Sequence, residues 1–398
     1  MRGLFGVRVF GVVLGLLFAS VQQSIAGHGR PPPTCPFGSG YDDGCAKANT
    51  DGSFINSTFF SYAKQSGQGK YYSAPGVPSD HPPPWNVAGV DYPVGYSTSR
   101  KLKDPAISPL PAGCTYSATG SDSGGAIVVC NHIANVTFNG WDFSLHNCTP
   151  LDIKNYTSGT VKILGSKFVN GPNCSIKNGY LVTVEDPSPT DVVFKHNSFD
   201  GNALNYPTSL GAMLILNNVG STTLKYNAFL HSPGRPISSS SVSALLVAYN
   251  YWEGFVYQDS DGHGEVIINV LENSYVKPSI VYSFNTVLQP NNVFIDGTTA
   301  MFYASTSQSN ATIMAAKIDH NTSVANLNAG QVTTSAASAE TSYDTYGTVL
   351  FEQNYMDPTG AYSCFVSTSN PVYQTQPVFT GNVNMINGNT VNDYNTCG

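Results

Sequence analysis

An all-β fold, a right-handed parallel β-helix of roughly eight to nine coils, is what the sequence predicts. Three observations predict it. A short phrase of β-formers followed by Asn and an aromatic or apolar residue recurs from residue 136 onward, in steps of about 25 to 35 residues. A second phrase falls between the copies and keeps its order. Two cysteine pairs, Cys148 with Cys174 and Cys364 with Cys397, are each separated by about one such step.

The first phrase reads Val193 to Phe199, Thr223 to Phe229, Leu246 to Trp252, Val281 to Asn285, Lys317 to Asn321 and Leu350 to Tyr355. Its Asn-to-Asn steps are 30, 23, 35, 36 and 33 residues; Phe138 to Phe143 and Ile163 to Phe168 are copies without the Asn. Asn273 falls outside the series and fits another strand of the same turn. The second phrase reads Gly179 to Val184, Gly211 to Leu216, Gly234 to Ser238, Gly264 to Ile268 and Thr299 to Tyr303. Two short strands per period suit a coil; a propeller blade needs four strands, and a β-sandwich predicts no coil-length period. One coil cannot bury its own apolar side chains, so coils stack about 4.8 Å apart around one interior. The repeat Asn is expected to take the left-handed backbone of a tight bend and to pass amide hydrogen bonds from coil to coil. His196 and His320, each just before a repeat Asn, read as turn residues.

The remaining segments are taken in chain order. Arg2 and Arg8 precede an apolar run from Val9 to about Val21, and Ser24-Ile25-Ala26 supplies small residues for cleavage. Residues 1–26 therefore read as a signal peptide, with an apolar core too short for a bilayer, and no later stretch predicts a membrane span. Residues 27–110, dense in Pro and Gly, read as an irregular cap that wraps the open end of the coil domain at 111–398. Ala325 to Ser342, rich in Ala, Ser and Thr, reads as an inserted loop. Eight cysteines in an exported chain read as disulfides, and sequence neighbours suggest Cys35–Cys45, Cys114–Cys130, Cys148–Cys174 and Cys364–Cys397. No Cys–His spacing fits zinc. The expected location is secreted, extracellular or periplasmic.

Composition narrows function. Among 398 residues are 18 Lys or Arg and 25 Asp or Glu, a formal net charge of −7. That balance excludes a basic nucleic-acid binder. With 41% hydrophobic and 12% aromatic residues, charge-driven disorder is excluded as well.

On its coil phrase V-x-F-x-x-N-x-F, over about residues 111–398, the chain resembles the pectate-lyase-like superfamily of secreted β-helix proteins. The resemblance implies the fold and a carbohydrate site on an exposed strand face. It does not choose among polysaccharide lyases, glycoside hydrolases and non-catalytic surface proteins. Gly262-His263-Gly264 is similar to a short motif of polygalacturonase-type hydrolases, but their paired aspartates and downstream Arg-x-Lys are missing in register, so that mechanism is not carried over.

The second phrase places the candidate chemistry. Tyr180, Ala212, Arg235, Glu265 and Ala300 share one coil position, and strand alternation is expected to turn them to solvent. Arg235 and Glu265 then sit on neighbouring coils beside Asp259, Asp261 and His263. Catalytic candidates are Arg235, His263, Glu265 and Asp261; Tyr180, His231 and Glu253 are candidates for substrate binding. Asp259 and Asp261 could hold calcium, although the spacing is not that of an EF-hand. An exposed Arg235–Glu265 ion pair and a polar turn at Asp259 to His263 explain the same residues without function. A lyase needs a base near the sugar C5 and a cation at the carboxylate; a hydrolase needs two carboxyls. The expected function is cleavage of a polysaccharide. The alternative is a non-catalytic surface or matrix protein that binds glycans or self-assembles.

Overall fold

A computed structural model describes residues 83–85, 87–89, 94–122, 124–155, 159–174, 179–185, 191–202, 205, 210–233, 235–253, 267–271, 279–288, 298–306, 312–324, 332–340, 345–356, 366–369, 372–373, 378–384 and 388–391. Residues 1–26, expected to be a signal peptide, and the expected Cys35–Cys45 and Cys364–Cys397 pairs lie outside the described residues, as does Asn273.

The described residues are all-β, with their strands in three sheets of 10, 10 and 9 strands as ordered by hydrogen bonding. Between Ile127–Asn131 and Val372–Tyr373 successive strands go to different sheets, and the chain returns to a given sheet on about every third strand. Leu151–Lys154, Val182–Glu185, Ala212–Asn217 and Arg235–Ser240 are neighbours in the first sheet. Thr160–Leu164, Asp191–Lys195, Ser221–Lys225 and Ala244–Ala248 adjoin in the second. Lys167–Val169, Ser198–Asp200, Ala228–Leu230 and Tyr251–Glu253 adjoin in the third. We call three successive strands, one per sheet, a tier. Pairing between tiers is parallel; Cys114–Ser117 against Ile127–Asn131, and Asn382–Asn384 against Thr390–Val391, are antiparallel.

The sequence phrases reproduce this register. Phe194, Leu224, Val247, Tyr282, Ile318 and Phe351 stand opposite one another in turn. Val182, Leu214, Ile237, Ile267 and Phe302 do the same in the first sheet. Each tier holds three strands where two were expected, because the first phrase is two strands broken by a bend. In Asp191–Lys195 and Thr160–Leu164 buried residues alternate with exposed or half-buried ones. The inward set from all three sheets forms one hydrophobic core.

The bend before the third sheet is the most regular feature. Its left-handed residue precedes the Asn: His196, Tyr226, Tyr249, Phe284, His320 and Gln353 have φ between 53° and 59°. The expectation that Asn itself would be left-handed is corrected. The preceding residue turns the chain, so the Asn that follows points inward and keeps both its backbone N–H and its amide for the ladder. Asn197, Asn227, Asn250, Asn285, Asn321 and Asn354 each donate a backbone N–H to the Oδ1 of the next ladder asparagine, at 2.9–3.1 Å. The series ends on Asn382 and begins on Ser166, whose N–H donates to Asn197 Oδ1. Asn321, a glycosylation sequon in the sequence, is buried in this ladder.

Rings flank the ladder on both sides. Inside, Phe143, Phe168, Phe199, Phe229 and Trp252 stack at 4.7–5.4 Å, nearly parallel. Outside, His196, Tyr226, Tyr249, Phe284 and His320 stack at 4.5–5.2 Å.

Two disulfides are present among the described residues, Cys114–Cys130 and Cys148–Cys174. The described part of the Pro- and Gly-rich segment runs along the flank of the tiers. Trp85 meets Phe284, His320 and Tyr355 edge-on, the Gly95 N–H donates to the Tyr226 carbonyl, and Lys103 pairs with Trp141. This strap lies against the outer ring row, in which Tyr226 and Tyr249 are buried. Ala325 to Ser342 is not one loop: Val332–Glu340 is a strand paired parallel with Thr298–Thr306. Its small Ala, Ser and Thr side chains gave it the composition of a loop.

Candidate functional site

The four residues Asp259, Asp261, His263 and Glu265 lie outside the described residues. Arg235 opens its strand opposite Ala212, as the shared coil position requires. It is half-buried and its Nε is enclosed by protein. Simple alternation is not kept at this corner, since Ala212, Met213 and Leu214 are all buried. Tyr180 lies at the same end of the first sheet, half-buried, with its phenol pushed up to about 12. Burial is the main cause, and Asp152, Asp122 and Glu185 add to it.

The outer face of the third sheet brings two of the expected binding residues together. Asp200, Leu230 and Glu253 stand in register on three successive strands, each three residues after a ladder Asn. His231 follows Leu230 in a left-handed conformation, φ 46°. Its Nδ1 lies 3.1 Å from Asp200 Oδ1, and its backbone N–H donates to the Glu253 carbonyl at 2.8 Å. Asp200 is itself oriented, because its Oδ1 also accepts the N–H of Asn202 at 2.8 Å. Gly201 lets the chain at His231 to Pro233 pass close: a Cβ there would meet His231 O and Pro233 Cδ at 2.5 Å. In the neighbouring tier, Tyr251 Oη donates to Glu253 Oε2 at 3.1 Å.

The electrostatics follow from this packing. Burial pushes the Glu253 carboxyl up to about 7; the nearby His231 and the Tyr251 hydroxyl pull it back, and Asp200 adds to the rise. For His231, burial opposes the charge, but the hydrogen bond and negative charge of Asp200, with the charge of Glu253, leave the imidazole above its ordinary value. With Nδ1 turned to a carboxylate, Nε2 is the nitrogen left for proton exchange, on a side chain 41% exposed. The group is therefore one accessible acid–base imidazole held between an orienting carboxylate and a buried, readily protonated one.

Sequence reasoning named His231 and Glu253 but missed Asp200 and Tyr251. The available signal was the position three residues after the ladder Asn, acidic in the two tiers that flank His231. A second charged group, on the second sheet, does not make a nucleophilic site. Ser283 and His320 both bond to Asp319, at 2.6 and 2.8 Å, so the carboxylate separates hydroxyl from imidazole. Burial works against the charge on Asp319, yet those bonds and the Lys317 charge hold it below the usual carboxylate range. Among the described residues no group of three His, Cys, Asp or Glu is arranged to hold a metal, and no helix is long and apolar enough to cross a membrane. The two disulfides fit an oxidising compartment.

No family model matches the chain, and neither the curated proteins nor the solved structures contain a significant match.

Proposed function

We propose that this chain is a secreted right-handed parallel β-helix, related to the pectate-lyase-like superfamily, that cleaves a uronate-containing polysaccharide by β-elimination on the outer face of its third sheet. The observation that carries the reading is the His231–Asp200 pair, an exposed imidazole oriented through Nδ1. A two-carboxyl hydrolysis suits the group less well: Glu253 is only 3% exposed, and Asp200 is engaged by His231 and Asn202. Elimination needs one such group. His231 Nε2 takes the proton from the sugar C5, the C4–O bond breaks as the C4–C5 double bond forms, and the imidazolium returns the proton to the leaving oxygen. Atoms balance without water.

The substrate carboxylate needs a cation, and Arg235, four residues beyond His231, supplies the guanidinium. Calcium at Asp259 and Asp261 would add to it and would offset the repulsion expected from a net charge of −7.

The test is incubation with neutral and uronate polysaccharides, with and without a chelator. New ultraviolet absorbance from the unsaturated product is expected with a uronate polymer. Reducing ends without that absorbance would indicate hydrolysis instead. Silence in both would favour the glycan-binding or self-assembling rod.

A further inference from the structure

The strap and the acid–base group meet at one residue. Tyr251 lies on the outer face of the third sheet, in register with Ala228, and is fully buried. Its cover is Gly89 of the strap. A Cβ built on Gly89 would fall 2.2 Å from Tyr251 Cδ2 and 2.6 Å from Cγ, and the Gly89 backbone is left-handed, φ 74°. Only glycine lets the strap lie this flat on the ring. On either side the strap is tied down, by the Gly95 N–H to the Tyr226 carbonyl at 2.8 Å and by Trp85 against Tyr355 at 4.9 Å between ring centroids. The far end of the same tyrosine carries the hydroxyl that donates to Glu253 Oε2.

We propose that the N-terminal strap positions the acid–base group: Gly89 fixes the ring of Tyr251, and Tyr251 fixes the carboxyl of Glu253 near His231. Tyr251 is thus a positioning residue, and the strap is part of the site rather than packing for the ring row alone. The catalytic meaning of this coupling rests on the elimination chemistry proposed above; the coupling itself does not. It acts through protonation, in four groups linked in pairs: Asp200 bonds to His231 and Tyr251 bonds to Glu253, while the charges of Asp200, His231 and Glu253 act on one another. The hydroxyl stabilises the charged carboxylate, and the charged carboxylate in turn supports the imidazolium.

The test is an NMR titration of the His231 ring and the Glu253 carboxyl in the ligand-free protein. In Tyr251→Phe the carboxyl loses one donor to its charged form, so it is expected to titrate about one pH unit higher. His231 should then titrate lower than in the parent. Gly89→Ala, which forces the strap or the ring to move, is expected to shift both groups the same way; Trp85→Ala serves if the first does not fold. Titrations matching the parent in Tyr251→Phe, or in the strap variants, would overturn the proposal. Shifted titrations in a protein that cleaves no polysaccharide would count against the elimination chemistry and uphold the positioning. Cleavage with unmoved titrations would do the reverse.

Discussion

At the scale of single residues, Glu253 is the most consequential side chain described. A carboxyl that titrates near 7 when folded and near 4.5 when unfolded binds more protons in the native state. Its contribution is present below about pH 4.5 and is lost as pH rises through about 7, amounting to ~3 kcal/mol. His231, also raised, changes stability in the same direction. Glu253→Gln should therefore flatten the fall in stability between pH 5 and about 7.5, read by chemical denaturation at each pH. An unchanged slope would mean that Glu253 is hydrated and ionised throughout. A second expectation concerns the left-handed bends. Gln353 is exposed at φ 53°, so Gln353→Gly should be neutral or stabilising by up to ~1 kcal/mol. Tyr249 has a similar φ but is buried in a ring stack, so Tyr249→Gly should cost about 3–5 kcal/mol. Equal effects would remove the distinction between bend geometry and ring packing.

At the scale of elements, the asparagine ladder joins the tiers from within. Asn250 accepts from both the backbone N–H and the Nδ2 of Asn227, and its own Nδ2 donates to the Leu224 carbonyl. Asn250→Ala would leave two buried donors without an acceptor, at a cost of about 2–5 kcal/mol in a denaturation midpoint. A cost below ~1 kcal/mol would show that water replaces the ladder. This element also shows how far the sequence could be read. Periodicity reports register well, because a residue at the wrong face of a strand would expose a core side chain. That is why both phrases aligned. The bend was harder: Asn is abundant and tolerates positive φ, yet His196, Tyr226 and Gln353 take that conformation, since the Asn is needed for hydrogen bonding. The Val332–Glu340 strand was missed because Ala and Ser lack the β-branched signal. Asp200 and Tyr251 were missed because their roles come from neighbours in other tiers, and a lone acid three residues after Asn says nothing until tiers are stacked.

At the scale of the whole molecule, one hydrophobic interior and the two ring rows on either side of the asparagine ladder make a regular support, against which Trp85, Gly95 and Lys103 of the strap rest. Such a support holds side chains from separate tiers at fixed spacing, which an acid–base group shared by three strands requires. The proposed centre uses this property: Asp200, His231 and Glu253 come from tiers far apart in sequence and meet only through stacking. The most direct measurement is the rate of unsaturated-product formation from uronate polysaccharides by the parent chain, His231→Asn and Asp200→Asn, with His231 titrated by NMR in each. Measurable cleavage by the parent, falling at least ~100-fold in both variants, is predicted. A cleaving parent whose rate survives both substitutions would place the chemistry elsewhere on the molecule and contradict the account.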